Sequence, residues 1–194
     1  MAKPTFNQLV VKEIRKETAD CCSIAFEVPD KLKSAYCFIP GQYLTLKADI
    51  NEQDVRRSYS ICTSPSEDEL RVAVKHIQDG LFSTFANTIL KKGDSLDVMT
   101  PDGTFYTELD AENKKNYLAF AAGSGITPII SILKTVLETE PNSTFTLFYG
   151  NKYTASIIFK ENLEALKNTY MQRLKVYYFL SREVLDAPLM NGRI

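Results

Sequence analysis

Residues 117–128 read YLAFAAGSGITP, a continuous apolar run that passes directly into a glycine turn and a proline. Six apolar residues in a row predict a parallel strand that is covered on both faces. Gly123 and Gly125 predict a tight turn, and Thr127-Pro128 opens a helix, because proline is favoured in the first helical turn. A strand, a glycine turn and a helix in this order begin a βαβ unit of a parallel α/β sheet.

The chain after this stretch repeats the pattern. Its elements give the order β-α-β-α-β, which is the first half of a doubly wound nucleotide domain. Three parallel strands make a thin sheet with a hydrophobic edge, so we expect residues 111–194 to be the N-terminal part of a Rossmann-like α/β domain, truncated and incomplete. The predicted elements are a helix at 127–138, a strand at 145–149, a helix at 155–167 and a strand at 175–180.

Before residue 110 the apolar residues alternate with polar ones in short runs, which predicts half-buried strands. Turn-forming sequences such as Pro40-Gly41 and Pro101-Asp102-Gly103 separate the runs. Many short strands at this spacing predict a small antiparallel β-barrel over residues 1–110, interrupted by one helix at 83–90. The alternating runs lie at 24–28, 43–46, 70–74 and 96–98.

The composition is that of a folded protein: 44% of the 194 residues are hydrophobic and 24% are charged, which excludes collagen-like and disordered classes. A net charge of -1 provides no general attraction for nucleic acid or for anionic membranes. No apolar run approaches the roughly 18 residues that span a bilayer, and the N-terminus lacks the apolar core of a signal peptide. We therefore expect no nucleic-acid partner, no membrane segment and no targeting signal.

The cysteines indicate the compartment. Cys21, Cys22, Cys37 and Cys62 do not form the paired spacings that hold zinc or a plant-type iron–sulfur cluster, so the sequence predicts no metal site. A chain of this length folds without disulfides. The simplest location is the reducing cytoplasm.

The glycine turn after the first parallel strand is a candidate anion site. Backbone N–H groups at a helix N-terminus bind pyrophosphate, and the glycines of this turn allow close approach. Pro128 replaces the third glycine of the dinucleotide fingerprint, so a tight turn that binds no ligand is the competing interpretation. The acidic residue that usually binds the adenosine ribose is also missing after the second strand. Ser181-Arg182 follows the third strand instead, and suits a ribose phosphate unless Arg182 is an ordinary surface charge.

The barrel half offers a second candidate. In Arg57-Ser58-Tyr59-Ser60 the arginine and the tyrosine are two residues apart and share one face of a strand, whereas the two serines share the other. An aromatic ring beside a cation suits a stacked ring system that carries phosphate. A surface arginine beside a core tyrosine is the commoner arrangement. Gly80-Leu81-Phe82-Ser83 supplies another helix N-terminus, so two nucleotides meeting at a domain cleft are predicted.

Seven motifs in this order resemble the ferredoxin–NADP reductase superfamily, flavoproteins with an antiparallel FAD-binding barrel followed by a nicotinamide-nucleotide domain. The resemblance covers nearly the whole chain. Within the superfamily, the subfamily of phenylacetyl-CoA epoxygenase reductases is the most similar, and its members continue into a [2Fe–2S] domain. The motifs are PGQYLTL (40–46), RSYS (57–60), VKH with GLFS (74–83), KKGD (91–94), AAGSGITPI (121–129), FYGNK (148–152) and SR (181–182).

The resemblance implies a role for each matching residue. Tyr59 would stack on the isoalloxazine and Ser60 would lie near flavin N5, which makes them the catalytic candidates. Arg57, beside Ser58, would neutralise the FAD pyrophosphate. The remaining FAD residues would be Val74, Lys75, His76, the amides of Leu81 and Phe82, and the Ser83 hydroxyl. The nicotinamide nucleotide would be bound by Gly123, Gly125, Thr127, Pro128, Ser181, Arg182 and Arg193.

The implied function is electron transfer from NADPH through FAD to a [2Fe–2S] centre in a longer protein, and from there to an oxygenase component. Ser181 and Arg182 favour NADPH over NADH. The chain lacks the Cys-Gly-Pro segment with which the family presses nicotinamide toward the flavin, so the resemblance leaves the activity of this length open. The alternatives are an NADH-dependent reductase of another oxygenase, an electron-transfer subunit, and a nucleotide-binding module without redox activity.

Overall fold

A computed structural model of the chain describes residues 5–184 and 190–192. Its first sheet has six antiparallel strands in the order β4-β3-β6-β1-β2-β5. A bridge between Ile61 and Val72 joins the two ends of this order, which closes the sheet into the predicted barrel. The strands are β1 (Phe6–Thr18), β2 (Cys21–Glu27), β3 (Tyr43–Ile50), β4 (Gln53–Ser60), β5 (Leu70–Lys75) and β6 (Ser95–Met99).

The barrel core confirms the alternation read from the sequence. Ile24, Leu44, Leu46, Val72 and Val98 are all fully buried in one cluster. Their neighbours along each strand lie on the opposite face, as strand geometry requires. Strand β1 was not predicted from the sequence, because its pairing with β2 shifts register twice. Each shift moves the apolar side chains to the other face of the strand and interrupts the alternation.

The barrel helix α1 (Leu81–Thr88) begins two residues earlier than predicted. Gly80, and not Ser83, is the N-cap residue. The Ser83 hydroxyl is 3.1 Å from the Gly80 carbonyl and accepts the Ile77 N–H at 3.1 Å, so it holds the turn that leads into the helix.

The second sheet is parallel, in the order β7-β8-β9, with strands β7 (Asn116–Ala122), β8 (Thr144–Asn151) and β9 (Leu174–Leu180). Helix α2 (Ile126–Thr139) joins β7 to β8, and helix α3 (Lys160–Thr169) joins β8 to β9. This is the predicted β-α-β-α-β order. The prediction that 117–122 is covered on both faces is wrong for the described residues, because Leu118 and Phe120 are 60% and 62% exposed. Two right-handed crossovers in the same direction place both helices on one face of the sheet.

Helix α3 (Lys160–Thr169) is shorter than predicted. Residues Thr154–Ser156 form a separate 3-10 turn, and Phe159 before the helix has a φ of 61°. The left-handed conformation at Phe159 interrupts the helical hydrogen bonds, so the predicted start at residue 155 was wrong. Within 5–184 and 190–192, no helix has the length and apolar character needed to cross a membrane.

A buried carboxylate fixes the start of the second sheet. Glu140 follows α2, is fully buried and accepts hydrogen bonds from the Asp110 N–H, the Asn113 amide, the Tyr117 hydroxyl and the Ser143 hydroxyl at 2.7–3.2 Å. Burial alone would raise its pKa, but the donors outweigh it and hold the pKa of Glu140 below its ordinary value of 4.5.

We expect Glu140→Gln to lower the free energy of unfolding by about 2 kcal/mol at pH 7. The substitution replaces one accepting carboxylate oxygen by an NH2 group, which then faces another hydrogen-bond donor. Because the folded-state pKa is lowered, the wild-type advantage is complete above the ordinary pKa and is lost as the pH falls through the folded value. Urea unfolding at pH 7 and pH 3 measures both effects. Glu108→Gln, at an exposed site, is the control. An equal advantage at both pH values would contradict the assignment.

Candidate functional site

Strand β4 carries Arg57 on the same face as core residues. Arg57 lies opposite the buried Leu46 in the register with β3, yet its own side chain is exposed. Its guanidinium donates to the carbonyl of Arg56 at 2.7 Å. Among the described residues, no carboxylate is within ion-pair distance of Arg57, so this cation is available to an anionic ligand.

Tyr59 lies one step further along the same face, opposite the buried Leu44. Its ring is half-buried and packs against Phe82 of α1 with the centroids 5.6 Å apart. Burial raises the pKa of Tyr59 to about 12, although the Arg57 charge opposes the shift. The hydroxyl therefore stays protonated at neutral pH, and Tyr59 offers a neutral ring surface beside a cation.

The two serines of the motif lie on the other face, as predicted. Ser58 is engaged there, with its hydroxyl 2.9 Å from that of Thr45. Ser60 lines a cavity of about 490 Å³ together with Phe105 of the chain that leaves the barrel and Pro128 of the glycine turn. The end of β4 and the start of α2 therefore face one another across a single cavity.

The N-terminus of α1 lies beside this strand. A Cβ atom on Gly80 would come within 2.5 Å of the Ser83 hydroxyl oxygen, so the turn requires glycine there. Ser83 is 4% exposed, and its hydroxyl is engaged in hydrogen bonds within the turn. The amides of Leu81 and Phe82 have no intrahelical acceptor, because they belong to the first turn.

Strand β5 and the residue that follows it, His76, place three candidate residues in different surroundings. Val74 is fully buried in the barrel core. His76 is exposed, with its Nε2 atom 3.3 Å from the Thr84 hydroxyl. Lys75 pairs with Asp20 at 3.4 Å and lies 4.0 Å from the position of a Cβ atom on Gly123. The Lys75 ammonium therefore lies beside the glycine turn that follows β7.

A second cavity, of about 290 Å³, opens at the carboxyl ends of the three parallel strands. This is the edge of an open α/β sheet where ligands bind. Gly123 forms its floor with a φ of 51°, and the Tyr149 hydroxyl donates to the Gly123 carbonyl at 2.9 Å. The lining residues are Lys75, Ala122, Gly123, Gly150, Asn151, Lys152, Ser156, Ser181, Arg182 and Gly192.

Three cations surround this cavity: Lys75, Lys152 and Arg182. Within the described parts of the chain, neither Lys152 nor Arg182 has a carboxylate at ion-pair distance. The nearby acid Glu183 accepts hydrogen bonds from the N–H and hydroxyl of Thr154 at 2.6 and 2.7 Å. The cavity is therefore electropositive and suits a phosphate-bearing ligand.

Asn151 is a candidate that the sequence reasoning missed. It is 8% exposed, and its side-chain Nδ2 has no hydrogen-bond partner among the described residues. A buried donor without a partner is costly unless a ligand or water accepts from it. The available signal was a polar residue at the carboxyl end of the central strand. Asn151 and the cations together fit the phosphate and ribose oxygens of a nucleotide.

The remaining candidates lie at the start of α2 and at the end of the chain. The Thr127 hydroxyl donates to the Ser124 carbonyl at 3.0 Å and is almost buried. A Cβ atom on Gly125 would meet open space, so this residue leaves room beside the turn. Ser181 continues the parallel ladder by donating its N–H to the Asn151 carbonyl at 2.9 Å. Arg193 lies outside the described residues.

Two protein-family models match the chain. The family described as oxidoreductase FAD-binding domain matches residues 8–106, and the family described as oxidoreductase NAD-binding domain matches residues 120–194. The first match covers the barrel, and the second covers most of the parallel sheet and its helices.

Two curated relatives are longer than this chain. One subunit of the 1,2-phenylacetyl-CoA epoxidase of Escherichia coli (strain K12) is 47% identical over 98% of this chain and 53% of the relative. The ferredoxin reductase component of the 3-ketosteroid-9-alpha-monooxygenase of Rhodococcus rhodochrous is 41% identical over 89% of this chain and 48% of the relative. The chain thus spans about half the length of these relatives.

The fold is shared with solved reductases. The ferredoxin–NADP+ reductase from Plasmodium falciparum superposes with a TM-score of 0.76 at 23% identity, over 92% of this chain and 75% of the other. This likeness supports the architecture of a barrel followed by a parallel sheet. The chain therefore belongs to the oxidoreductases that join an FAD-binding domain to an NAD-binding domain, with the fold of the ferredoxin–NADP reductases.

Proposed function

We propose that the chain is the FAD- and NADPH-binding part of a reductase that passes electrons through an iron–sulfur centre to an oxygenase. In this proposal residues 1–110 bind FAD and residues 111–194 form the incomplete nicotinamide-nucleotide domain. The name of the Escherichia coli relative, part of a phenylacetyl-CoA epoxidase, supports an oxygenase of aromatic degradation as the acceptor system.

The observation that carries the proposal is that Ser60 and Pro128 line the same cavity. Ser60 ends the strand with the candidate flavin residues, and Pro128 opens the helix that follows the nucleotide turn. A reductase must hold two cofactors with their reacting rings in contact, because transfer requires a close and oriented approach. A module that binds one nucleotide without redox activity has no such requirement.

The barrel residues fit FAD in both charge and shape. Arg57 and the amides of Leu81 and Phe82 would hold the pyrophosphate, and Tyr59 would pack its neutral ring against the isoalloxazine. Ser60 would lie at the reacting edge. FAD, when bound, supplies the ability to accept two electrons from a nicotinamide and to release them singly.

The second cavity fits the phosphate groups of NADPH. Asn151, Lys152 and Arg182 would contact the nucleotide, while Gly123 and Gly125 would admit its pyrophosphate to the helix N-terminus. Arg182 favours NADPH because a guanidinium binds the 2′-phosphate through two parallel hydrogen bonds. An NADH-dependent reductase of another oxygenase is the alternative.

The iron–sulfur centre is proposed to lie in a part of the protein beyond this sequence, which has no cysteine spacing for it. The four cysteines are free thiols, and this fits the reducing cytoplasm as the compartment.

A visible absorption spectrum of the purified chain, followed by anaerobic addition of NADPH, tests the proposal. We expect a flavin spectrum after incubation with FAD, and its bleaching by NADPH. Bound flavin that stays oxidised would refute electron transfer from NADPH to FAD in this 194-residue chain. No flavin binding at all would support the nucleotide-binding module without redox activity.

A further inference from the structure

Helix α2 has a polar stripe along one side. Thr127, Ser131, Lys134 and Glu138 follow each other at intervals of four, three and four residues, which places them on one helix face. Thr127, Ser131 and Lys134 are 6%, 0% and 8% exposed. A buried polar stripe on an otherwise apolar helix needs specific partners, because unpaired polar groups are costly to bury.

The partners of Ser131, Lys134 and Glu138 come from the barrel, whereas Thr127 donates to the Ser124 carbonyl of the glycine turn. The Ser131 hydroxyl donates to the Thr63 carbonyl at 2.6 Å. The Lys134 ammonium donates to both carboxylate oxygens of Glu67 at 2.8 and 3.0 Å. One turn further on, the Glu138 carboxylate accepts from the Ser66 hydroxyl at 2.7 Å. We call residues 63–67, together with the polar stripe of α2, the domain seam.

The barrel side of the domain seam is held in place by its own hydrogen bonds. The Ser64 N–H donates to the Glu67 carboxylate at 2.6 Å, as part of a capping box around a 3-10 turn that begins at Pro65. The Thr63 hydroxyl donates to the Glu69 carbonyl at 2.6 Å. The backbone therefore holds the Glu67 carboxylate in place. Forming the ion pair with Lys134 costs little additional side-chain entropy at Glu67.

An apolar cluster backs the domain seam. Cys21, Cys62 and Ala73 of the barrel are buried in one cluster with Ile126 and Ile130 of α2. Apolar contacts hold two surfaces together without fixing their angle, because they have no direction. The hydrogen bonds and the ion pair of the domain seam are directional, so they fix the orientation of α2 on the barrel.

The domain seam is connected directly to both cofactor sites of the proposed function. Thr63 follows Ser60 by three residues along the chain, and the stripe begins at Thr127 in the nucleotide turn. A tilt of α2 on the barrel would move Pro128 relative to Ser60, which face the same cavity.

We propose that Lys134, Glu67 and Ser131 are positioning residues that set the distance and angle between the FAD site and the nicotinamide site. This inference rests on the proposed function. Its consequence is that loosening the domain seam slows electron transfer between the cofactors while both still bind, because a displacement of about 1 Å in the reacting geometry can cost about 100-fold in rate.

The first test uses Lys134→Met and Glu67→Gln in the FAD-loaded chain. We expect the flavin content to stay unchanged, the rate of flavin reduction at saturating NADPH to fall about tenfold, and the half-saturating NADPH concentration to change less than about twofold. Lys167→Met is the control, because it breaks an ion pair of similar length, 3.0 Å, on the outside of α3. Glu67→Gln keeps the hydrogen-bonding shape and remains informative if Lys134→Met does not fold.

The second test needs neither cofactor. Cys37 is exposed whereas the other cysteines are buried, so spin labels at Cys37 and at an added cysteine, Asn168→Cys, report the distance between barrel and α3. We expect a narrow distance distribution that broadens in Lys134→Met and stays narrow in Lys167→Met. If NADPH fails to reduce the wild-type chain, the proposed function fails while this measurement still decides whether the domain seam sets the angle. An unchanged distribution, or a broadened one with wild-type reduction rates, would overturn the inference.

Discussion

We expect Arg57→Ala to weaken FAD binding by about 100-fold, because the variant would lose the proposed charge-assisted contact to the pyrophosphate, which is worth about 3 kcal/mol. The Arg57 guanidinium has no carboxylate partner in the described chain, so its removal breaks no ion pair among those residues. The fold should therefore survive. Titration of the apoprotein with FAD, followed by flavin fluorescence, measures the dissociation constant.

Arg56→Ala is the matched control for this experiment. Arg56 is the neighbouring residue, it is also exposed, and its guanidinium is already paired with Asp54 at 2.8 and 2.9 Å. We expect this variant to bind FAD within about twofold of the wild type, as is usual for surface substitutions. Equal weakening in both variants would indicate a general effect of positive charge, and unchanged binding in Arg57→Ala would remove this residue from the site.

We expect Arg182→Ala to raise the dissociation constant of NADPH by about 30-fold and that of NADH by less than about twofold, because only NADPH carries the 2′-phosphate that Arg182 is proposed to bind. The change in preference is more informative than either constant alone. Fluorescence titration of the protein with each nucleotide measures both constants without turnover. Lys175→Ala is the control, because Lys175 lies at the amino end of β9, the strand that precedes Arg182, and its removal deletes an exposed charge far from the cavity.

Equal losses for the two nucleotides would contradict the role of Arg182 in binding the 2′-phosphate. A wild-type chain that already prefers NADH would favour the alternative reductase. Lys152 would then be the first residue to test in place of Arg182, since it lines the same cavity without a carboxylate partner in the described chain.

The sequence predicted both sheets because each has a simple local pattern of apolar residues. Alternation at Leu44 and Leu46 indicated the barrel, and the apolar run before Gly123 indicated a parallel strand. Strand β1 was missed because two register shifts break its alternation. The coverage of β7 was predicted wrongly because an apolar run identifies a strand without showing which elements pack on it.

The candidate site was predictable where a motif is local and unpredictable where it depends on distant contacts. Arg57 and Tyr59 are two residues apart, so strand geometry alone places them on one face. Lys134 and Glu67 are 67 residues apart, and no local pattern links them. Asn151 was missed for a similar reason, since its unsatisfied donor is visible only after β8 and its neighbours are in place.

The uncovered face of the parallel sheet has a consequence for the behaviour of the molecule in solution. Phe120, Phe148 and Tyr177 stack across the three strands with centroids 5.1 and 5.2 Å apart, which forms an aromatic ladder open to water. Contiguous apolar surface of this kind attracts any second apolar surface. Anything that binds the folded form raises its apparent stability by mass action. Association of two copies through this face would therefore raise the melting temperature as the chain becomes more concentrated, and thermal unfolding at several concentrations measures this effect.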